Sequence, residues 1–243
     1  MIMIKEKLTS LKLYGMANAL EEYAKSEAFN DMDFEEQLSM LLEQETIYRH
    51  NRQLKRLITM AKLRYSDACI EDIKFNAQRG INKHLLIELS KMDWVRNKRN
   101  MIITGATGTG KTYIACAVGN SACRQNVKTL YTRQHKLMSE LRISRATGEY
   151  VKLIDRLSKV ELLIIDDWGM SSLNDDQRRD LLEITENRYN LHSTIIATQF
   201  PIDKWHSLIG DPTIADAVCD RLIHNAYKLK LAGESMRKTE NGV

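Results

Sequence analysis

The residues best suited to chemistry lie in an eight-residue run, GATGTGKT, from Gly105 to Thr112. It satisfies G-x-x-x-x-G-K-[ST], follows a short apolar segment and opens a helix-length one, the context that pattern needs. Its glycines let the backbone curl so that N–H groups from Gly105, Ala106, Thr107, Gly108, Thr109 and Gly110 turn inward. Together with a helix N-terminus, such groups bind phosphate oxygens. Lys111 then reaches the β- and γ-phosphates, and the Thr112 hydroxyl can ligate Mg²⁺. The plain alternative is a glycine-rich strand-to-helix turn. With glycine at about 7% of residues, a chance match in a chain this long arises about once in a hundred. The run therefore predicts an ATP site with Mg²⁺ as companion ion.

A second stretch, LLIIDDWGM at 162–170, ends an apolar run on two adjacent acids. If it forms a strand near the phosphate-loop strand, Asp166 stands at its carboxyl end, where parallel sheets bind ligands, and can hold Mg²⁺. Asp167 is then free to accept a proton from, or orient, the water that attacks the γ-phosphate; an ordinary Asp-Asp turn is the competing reading. In STIIATQF (193–200), Gln199 can hydrogen-bond the γ-phosphate or that water, or else cap the PID turn that follows. Arg221, in DAVCDRLIHNAYKLKL, can serve a neighbouring subunit's nucleotide as a finger carrying transition-state charge. A surface salt bridge with Asp220 or Asp216 is its plainer role.

These groups need a sheet to position them. Short apolar runs at 101–104, 127–131, 161–165, 194–198 and 226–231 alternate with helix-length amphipathic stretches, the arrangement of a parallel sheet covered on both faces. Residues 1–64 show apolar positions every three or four residues, uninterrupted by proline, which reads as helix; Met16, Met32, Met40 and Met60 fall on this spacing as core filler. The expected organisation is a helical domain at 1–66, a connector at 67–99 and an α/β domain of about five strands at 100–243. The chain has 243 residues, 43% of them hydrophobic, and a net charge of +4, so bulk charge does not point to a polyanionic partner. Four cysteines without CxxC spacing read as thiols in a reducing compartment. With no leader and no stretch near the ~18 apolar residues of a membrane span, a cytoplasmic protein without a membrane partner is expected.

With these elements in this order, the chain resembles the ASCE-type P-loop ATPases of the AAA+ class, and within it the DnaC/IstB group. The likeness to IstB-type insertion-sequence helper ATPases extends over nearly the whole length. It is carried by LTSLKLYGMANALEEYA (8–24), KFNAQRGINKHLLIELSKMDWV (74–95), the phosphate loop, LLIIDDWG (162–169) and DRLIHNAYKLKLAGESMRK (220–238). The resemblance implies an ATPase that forms a homo-oligomer with ATP on target duplex DNA and brings the transposase of its own element there, with hydrolysis governing release. Two departures stand out. Only a dozen residues follow Leu231, too few for the helical lid of most AAA+ modules, and Arg237 is the candidate to replace the lid's arginine. The usual glutamate after the metal-binding acid is Asp167 here, one methylene shorter, which fits slow hydrolysis stimulated by DNA or a partner.

The strongest basic cluster, RHNRQLKRLITMAKLR at 49–64, holds Arg49, Arg52, Lys55, Arg56, Lys62 and Arg64 and no acid. On a helix Arg49, Arg52 and Arg56 share one face, and Leu54, Leu57, Ile58 and Ala61 form the buried one. Such a stripe can neutralise DNA phosphates without reading bases; a solvated face balanced by Glu35, Glu36, Glu43 and Glu45 is the alternative. Lys91, Arg96, Lys98 and Arg99 form a second candidate, or cover a domain junction. A DnaC-like replicative helicase loader would share the ATPase core. From a different class, a P-loop nucleoside or nucleotide kinase needs an acceptor loop and an arginine-rich lid for which the tail leaves little room.

Overall fold

The computed structural model describes residues 2–73, 80–81, 83–233 and 236. The chain divides into two compact units, Met1–Arg56 and Leu57–Val243, and the boundary falls inside a continuous helix. Residues 57–99 thus belong to the second unit.

In the first unit the helical periodicity becomes α1 (Ile2–Ser10), α2 (Tyr14–Tyr23), α3 (Glu27–Asn30) and the start of α4 (Phe34–Ala61). Asp33 and Glu36 form a reciprocal cap at the head of α4, Glu36 N–H donating to Asp33 Oδ1 at 2.9 Å and Asp33 N–H to Glu36 Oε2 at 3.3 Å. Helix α2 has no side-chain cap of its own. Instead Glu45, buried on α4, accepts from the N–H groups of Gly15 (2.7 Å) and Met16 (3.2 Å). Such close approach requires glycine at position 15, where a Cβ would stand 2.6 Å from the Gln44 carbonyl oxygen. Arg49 Nε completes the arrangement with a bond to Glu45 Oε1 at 2.6 Å.

Burial pushes the Glu45 pKa up, but Arg49 and the N–H groups of Met16 and Gly15 outweigh it, so the net direction is below its ordinary value of 4.5. A carboxylate depressed in the folded state contributes stability above its ordinary range, and that contribution is lost as pH falls through the lowered value. Glu45→Ala leaves two helix N–H groups without their acceptor and is expected to destabilise the chain by about 1–2 kcal/mol, read as a lower urea midpoint near neutral pH. An unchanged midpoint would show that water replaces the cap at no cost.

Several apolar positions of the helical spacing do not enter a core: Phe34 and Leu42 are exposed, as is Met60, whereas Met16, Leu57 and Ala61 are buried. Glu45 is likewise a buried cap and not a solvated counter-charge.

The second unit carries β1 (Asn100–Gly105), β2 (Thr129–Arg133), β3 (Leu162–Trp168), β4 (Ser193–Thr198) and β5 (Ala226–Leu231), all parallel, in the order β2-β3-β4-β1-β5. Helices α5 (Lys83–Ser90) and α6 (Asp93–Arg96) precede β1. Helices α7 (Lys111–Arg124), α8 (Gln134–Ala146), α9 (Tyr150–Lys159), α10 (Asp175–Arg188), α11 (Trp205–Ile209) and α12 (Pro212–Ile223) connect the strands. Strand alternation sends Ile102, Leu163, Ile165 and Ile196 into a core with Leu137, Leu157, Leu181 and Val218 of α8, α9, α10 and α12. On α7, Gly119 lies against Ile164 and Leu63.

Two strand ends differ from the sequence expectation. Strand β2 begins at Thr129, not Val127, because Val127 closes α7: its N–H bonds to Ala122 O and that of Asn126 (φ 65°) to Cys123 O. This six-residue closure uses the residues that apolarity alone assigns to a strand. Strand β3 runs on past Ile165 through both acids to Trp168, with a bulge against β4 between Ile165 and Trp168.

Candidate nucleotide and catalytic site

The loop from Gly105 to Gly110 joins β1 to α7 at the carboxyl end of the sheet. Gly108 and Gly110 have φ of 84° and 93°, and Gly110 is the N-cap of α7. In this left-handed region a side chain is strained, so the glycines are what allow the turn. Thr109 Oγ1 donates to Ala106 O at 2.8 Å and braces it from within. Lys111 Nζ donates to Gly105 O and Ala106 O, both at 2.8 Å. A cavity of about 700 Å³ opens over the loop, within the 300–1,000 Å³ range typical of ligand pockets. Lys111, Thr112, Asp167 and Gln199 line it, and so do Tyr65, Asp67 and Tyr113.

Beneath the loop, Thr112 Oγ1 donates to Asp166 Oδ2 at 2.8 Å, so the predicted metal pair meets although β4 lies between β1 and β3. Asp166 is 1% exposed, and among the described residues its hydrogen-bond donors are Thr112, the Tyr131 hydroxyl (2.8 Å) and the Asp167 N–H (2.9 Å). The Arg133 guanidinium acts on Asp166 through space without bonding to it, and a carboxylate this deeply buried is costly unless a cation also meets it directly, so the site fits a divalent ion. Among the described residues no group of three or more His, Cys, Asp or Glu side chains is placed to hold a metal. Mg²⁺ takes one or two protein ligands and fills its shell with phosphate oxygens and water, so one hydroxyl and one carboxylate are a sufficient set.

Asp167 lies in the bulge with φ 56° and lines the cavity, its Oδ2 3.5 Å from Arg133 Nε. Gln199 is not a cap for the following turn. Its Oε1 accepts from Thr107 Oγ1 at 2.9 Å and its amide donates to Met170 Sδ at 2.8 Å, linking the phosphate loop to the segment after the acids.

Arg221 stands apart. Asn100 at the start of β1 donates from Nδ2 to Arg221 O at 3.0 Å, so Arg221 sits at the opposite end of that strand, about 17 Å from Gly105 at ~3.3 Å per residue. Its ion pair is with Glu186 at 2.9 Å, not with Asp216 or Asp220. Arg49, Arg52, Lys55, Arg56 and Lys62 are exposed, with Arg49 committed to Glu45. Arg64, exposed as well, also lines the cavity over the phosphate loop, its guanidinium 5.5 Å from the Tyr65 ring centre. Arg237 lies outside the described residues; Met236, one before it, lines the cavity and its N–H donates to Gly108 O at 2.9 Å.

Tyr131, Arg133 and Gln134 escape a reading of the sequence. The signal that finds them is sheet order: β2 lies beside β3 with Arg133 in register with Asp166.

A phosphate loop after β1, a buried acid on β3 and an intervening β4 that ends on a polar contact to the loop define a P-loop domain of the AAA+ class. The chain belongs to the IstB-like ATP binding protein family, whose model matches residues 6–242. It is 42% identical over 235 residues to a putative insertion sequence ATP-binding protein of Sinorhizobium fredii, covering 97% of this chain and 96% of that one. Against the putative ATP-binding protein of insertion sequence IS21 from Pseudomonas aeruginosa, identity is 28%, covering 96% and 88%. Among solved structures, the DnaC helicase loader superposes with a TM-score of 0.61 at 20% identity, covering 69% of this chain and 98% of that one. DnaA from Aquifex aeolicus, bound to AMPPCP, gives 0.58 at 19%, covering 71% and 53%. These two likenesses are of fold alone.

Proposed function

We propose that the chain is an ATPase that helps transposition: it assembles with ATP on target duplex DNA and recruits or regulates the transposase of its own element. The observation that carries the ATPase is the 2.8 Å bond between Thr112 and Asp166 under a loop whose lysine faces the cavity. Family membership with insertion-sequence proteins over residues 6–242 supports the transposition setting. The DnaC likeness is one of fold, so the helicase-loader alternative gains no functional support from it.

In this reading the N–H groups of 105–110 and Lys111 bind the phosphates, and Thr112 and Asp166 hold Mg²⁺, which neutralises phosphate charge when bound. Asp167 orients the attacking water and takes its proton. Gln199, already tied to Thr107, responds to the γ-phosphate. Arg221 lies too far from its own loop for its side chain to span, so it acts on a neighbouring subunit's nucleotide. Arg237 is counted with the nucleotide-binding residues. Arg52, Lys55 and Arg56, with Arg49 and Lys62, neutralise DNA phosphates; Arg64 faces the nucleotide instead.

Electron microscopy of the purified chain with each combination of ATP and duplex DNA tests the assembly. Oligomers on DNA are expected with both present, and monomers in every condition would remove the proposal. In the same system, Arg52→Ala with Arg56→Ala is expected to flatten the slope of log affinity against log salt by about 2, at ~0.9 per lost phosphate contact. An unchanged slope would put the DNA surface elsewhere.

A further inference from the structure

We infer that Tyr131 is the positioning residue for Asp166, the hydroxyl that fixes the acid for its metal ion; this rests on the reading of Thr112 and Asp166 as the Mg²⁺ pair. Tyr131 and Asp166 are both buried, at 8% and 1% exposure, and the hydroxyl donates to Asp166 Oδ2 at 2.8 Å. Thr112 donates to the same oxygen at the same distance, and Oδ1 is taken by the Asp167 N–H. The two hydroxyls are not equivalent. Thr112 belongs to the first turn of α7, directly after the phosphate loop, and is itself read as a ligand of the ion. Tyr131 comes from β2, the strand paired to β3, and holds Oδ2 from the sheet itself.

The strand end that carries Tyr131 grips the acid pair elsewhere too. Gln134, 3% exposed, accepts the Gly169 N–H at 2.6 Å, just past the bulge. Residues 131 and 134 thus bracket 166–169 from one side: one fixes the carboxylate, the other the backbone behind it. A carboxylate turns readily about its terminal torsion, which is broad and roughly two-fold. Without Tyr131, Thr112 is the donor to Oδ2 that remains among the described residues. A carboxylate with one donor fewer is also more basic, which favours a cation. Loss of orientation is the larger effect, since removing partners that orient metal ligands typically costs 10–100-fold in metal affinity or activity.

Tyr131→Phe removes one oxygen and no packing atom. The test is a Mg²⁺ titration of the full chain with a fluorescent ATP analogue, alongside binding of that analogue in EDTA. The Mg²⁺ midpoint is expected to rise about tenfold while metal-free binding stays within twofold, and excess Mg²⁺ restores most of the hydrolysis rate. An unchanged midpoint overturns the inference. So does metal-free binding that weakens as much as metal-bound binding, because the hydroxyl would then support packing and not the acid. Asp166→Asn is the control on the underlying reading: if it leaves the midpoint where the natural chain has it, Asp166 is not the metal's acid and that reading fails, whatever Tyr131→Phe does.

Discussion

Asp167→Asn is expected to bind ATP as the natural chain does and to lose hydrolysis by about 10²–10⁴-fold, the range of a general acid–base contribution. The backbone favours this test. Asp167 sits at φ 56° in the β3 bulge, and asparagine tolerates the left-handed region as well as aspartate does. The variant therefore keeps the bulge and removes only the charge that takes a proton. Its ion pair with Arg133 is 3.5 Å long and both side chains are more than a third exposed, so losing it costs little stability. Asp167→Glu is less simple than its extra methylene suggests. It restores reach, but glutamate in a left-handed position costs about 1 kcal/mol or more of backbone strain, which moves the bulge that aims it. Single-turnover phosphate release measures both variants, with nucleotide affinity determined separately. Asp167→Asn hydrolysing ATP at more than a third of the natural rate would take the water-activating role from this residue.

The parts of the site legible in the sequence are those whose signal is contiguous. GATGTGKT carries its geometry in neighbouring glycines, and Asp166 in its place at the end of an apolar run, so loop and acid were readable without knowing what lay between them. Strands β1, β4 and β5 fall within a residue of their apolar runs for the same reason. Where two local rules compete, apolarity misleads: Val127 looks like strand and is used to close α7. Tyr131, Arg133 and Gln134 were silent because their meaning depends on β2 lying beside β3, a pairing across more than thirty residues. Glu45 shows the same limit in the first unit. By composition it balances a basic helix, yet it is the buried acceptor for another helix's N-terminus, and only the missing cap of α2 hints at it. Burial of Leu57 beside exposure of Phe34 and Leu42 on one helix shows that spacing identifies a face but not what covers it.

Lys111→Ala is expected to lower ATP affinity at least a hundredfold and to abolish assembly on DNA. In the structure Lys111 Nζ donates to two carbonyl oxygens of its own loop at 2.8 Å. Binding ATP exchanges such neutral acceptors for charged phosphate oxygens, and charge-assisted bonds are about twice as strong. At about 1.5–3 kcal/mol for each bond to a charged group, two such bonds correspond to roughly two to four decades of affinity. The loop itself should survive the change, because Thr109 braces Ala106 from within and the Gly108 and Gly110 dihedrals need no side chain. Lys111→Met, which keeps most of the volume and none of the charge, should therefore behave like the alanine variant; near-natural affinity for Met would mean that packing, not charge, is what Lys111 supplies. Combined with Asp167→Asn, the pair separates binding from turnover. If ATP acts by joining one subunit's loop to the next subunit's Arg221, the aspartate variant assembles and stays assembled, while the lysine variant never assembles. Assembly by both, or by neither, would break the link between nucleotide occupancy and the subunit contact that Arg221 requires.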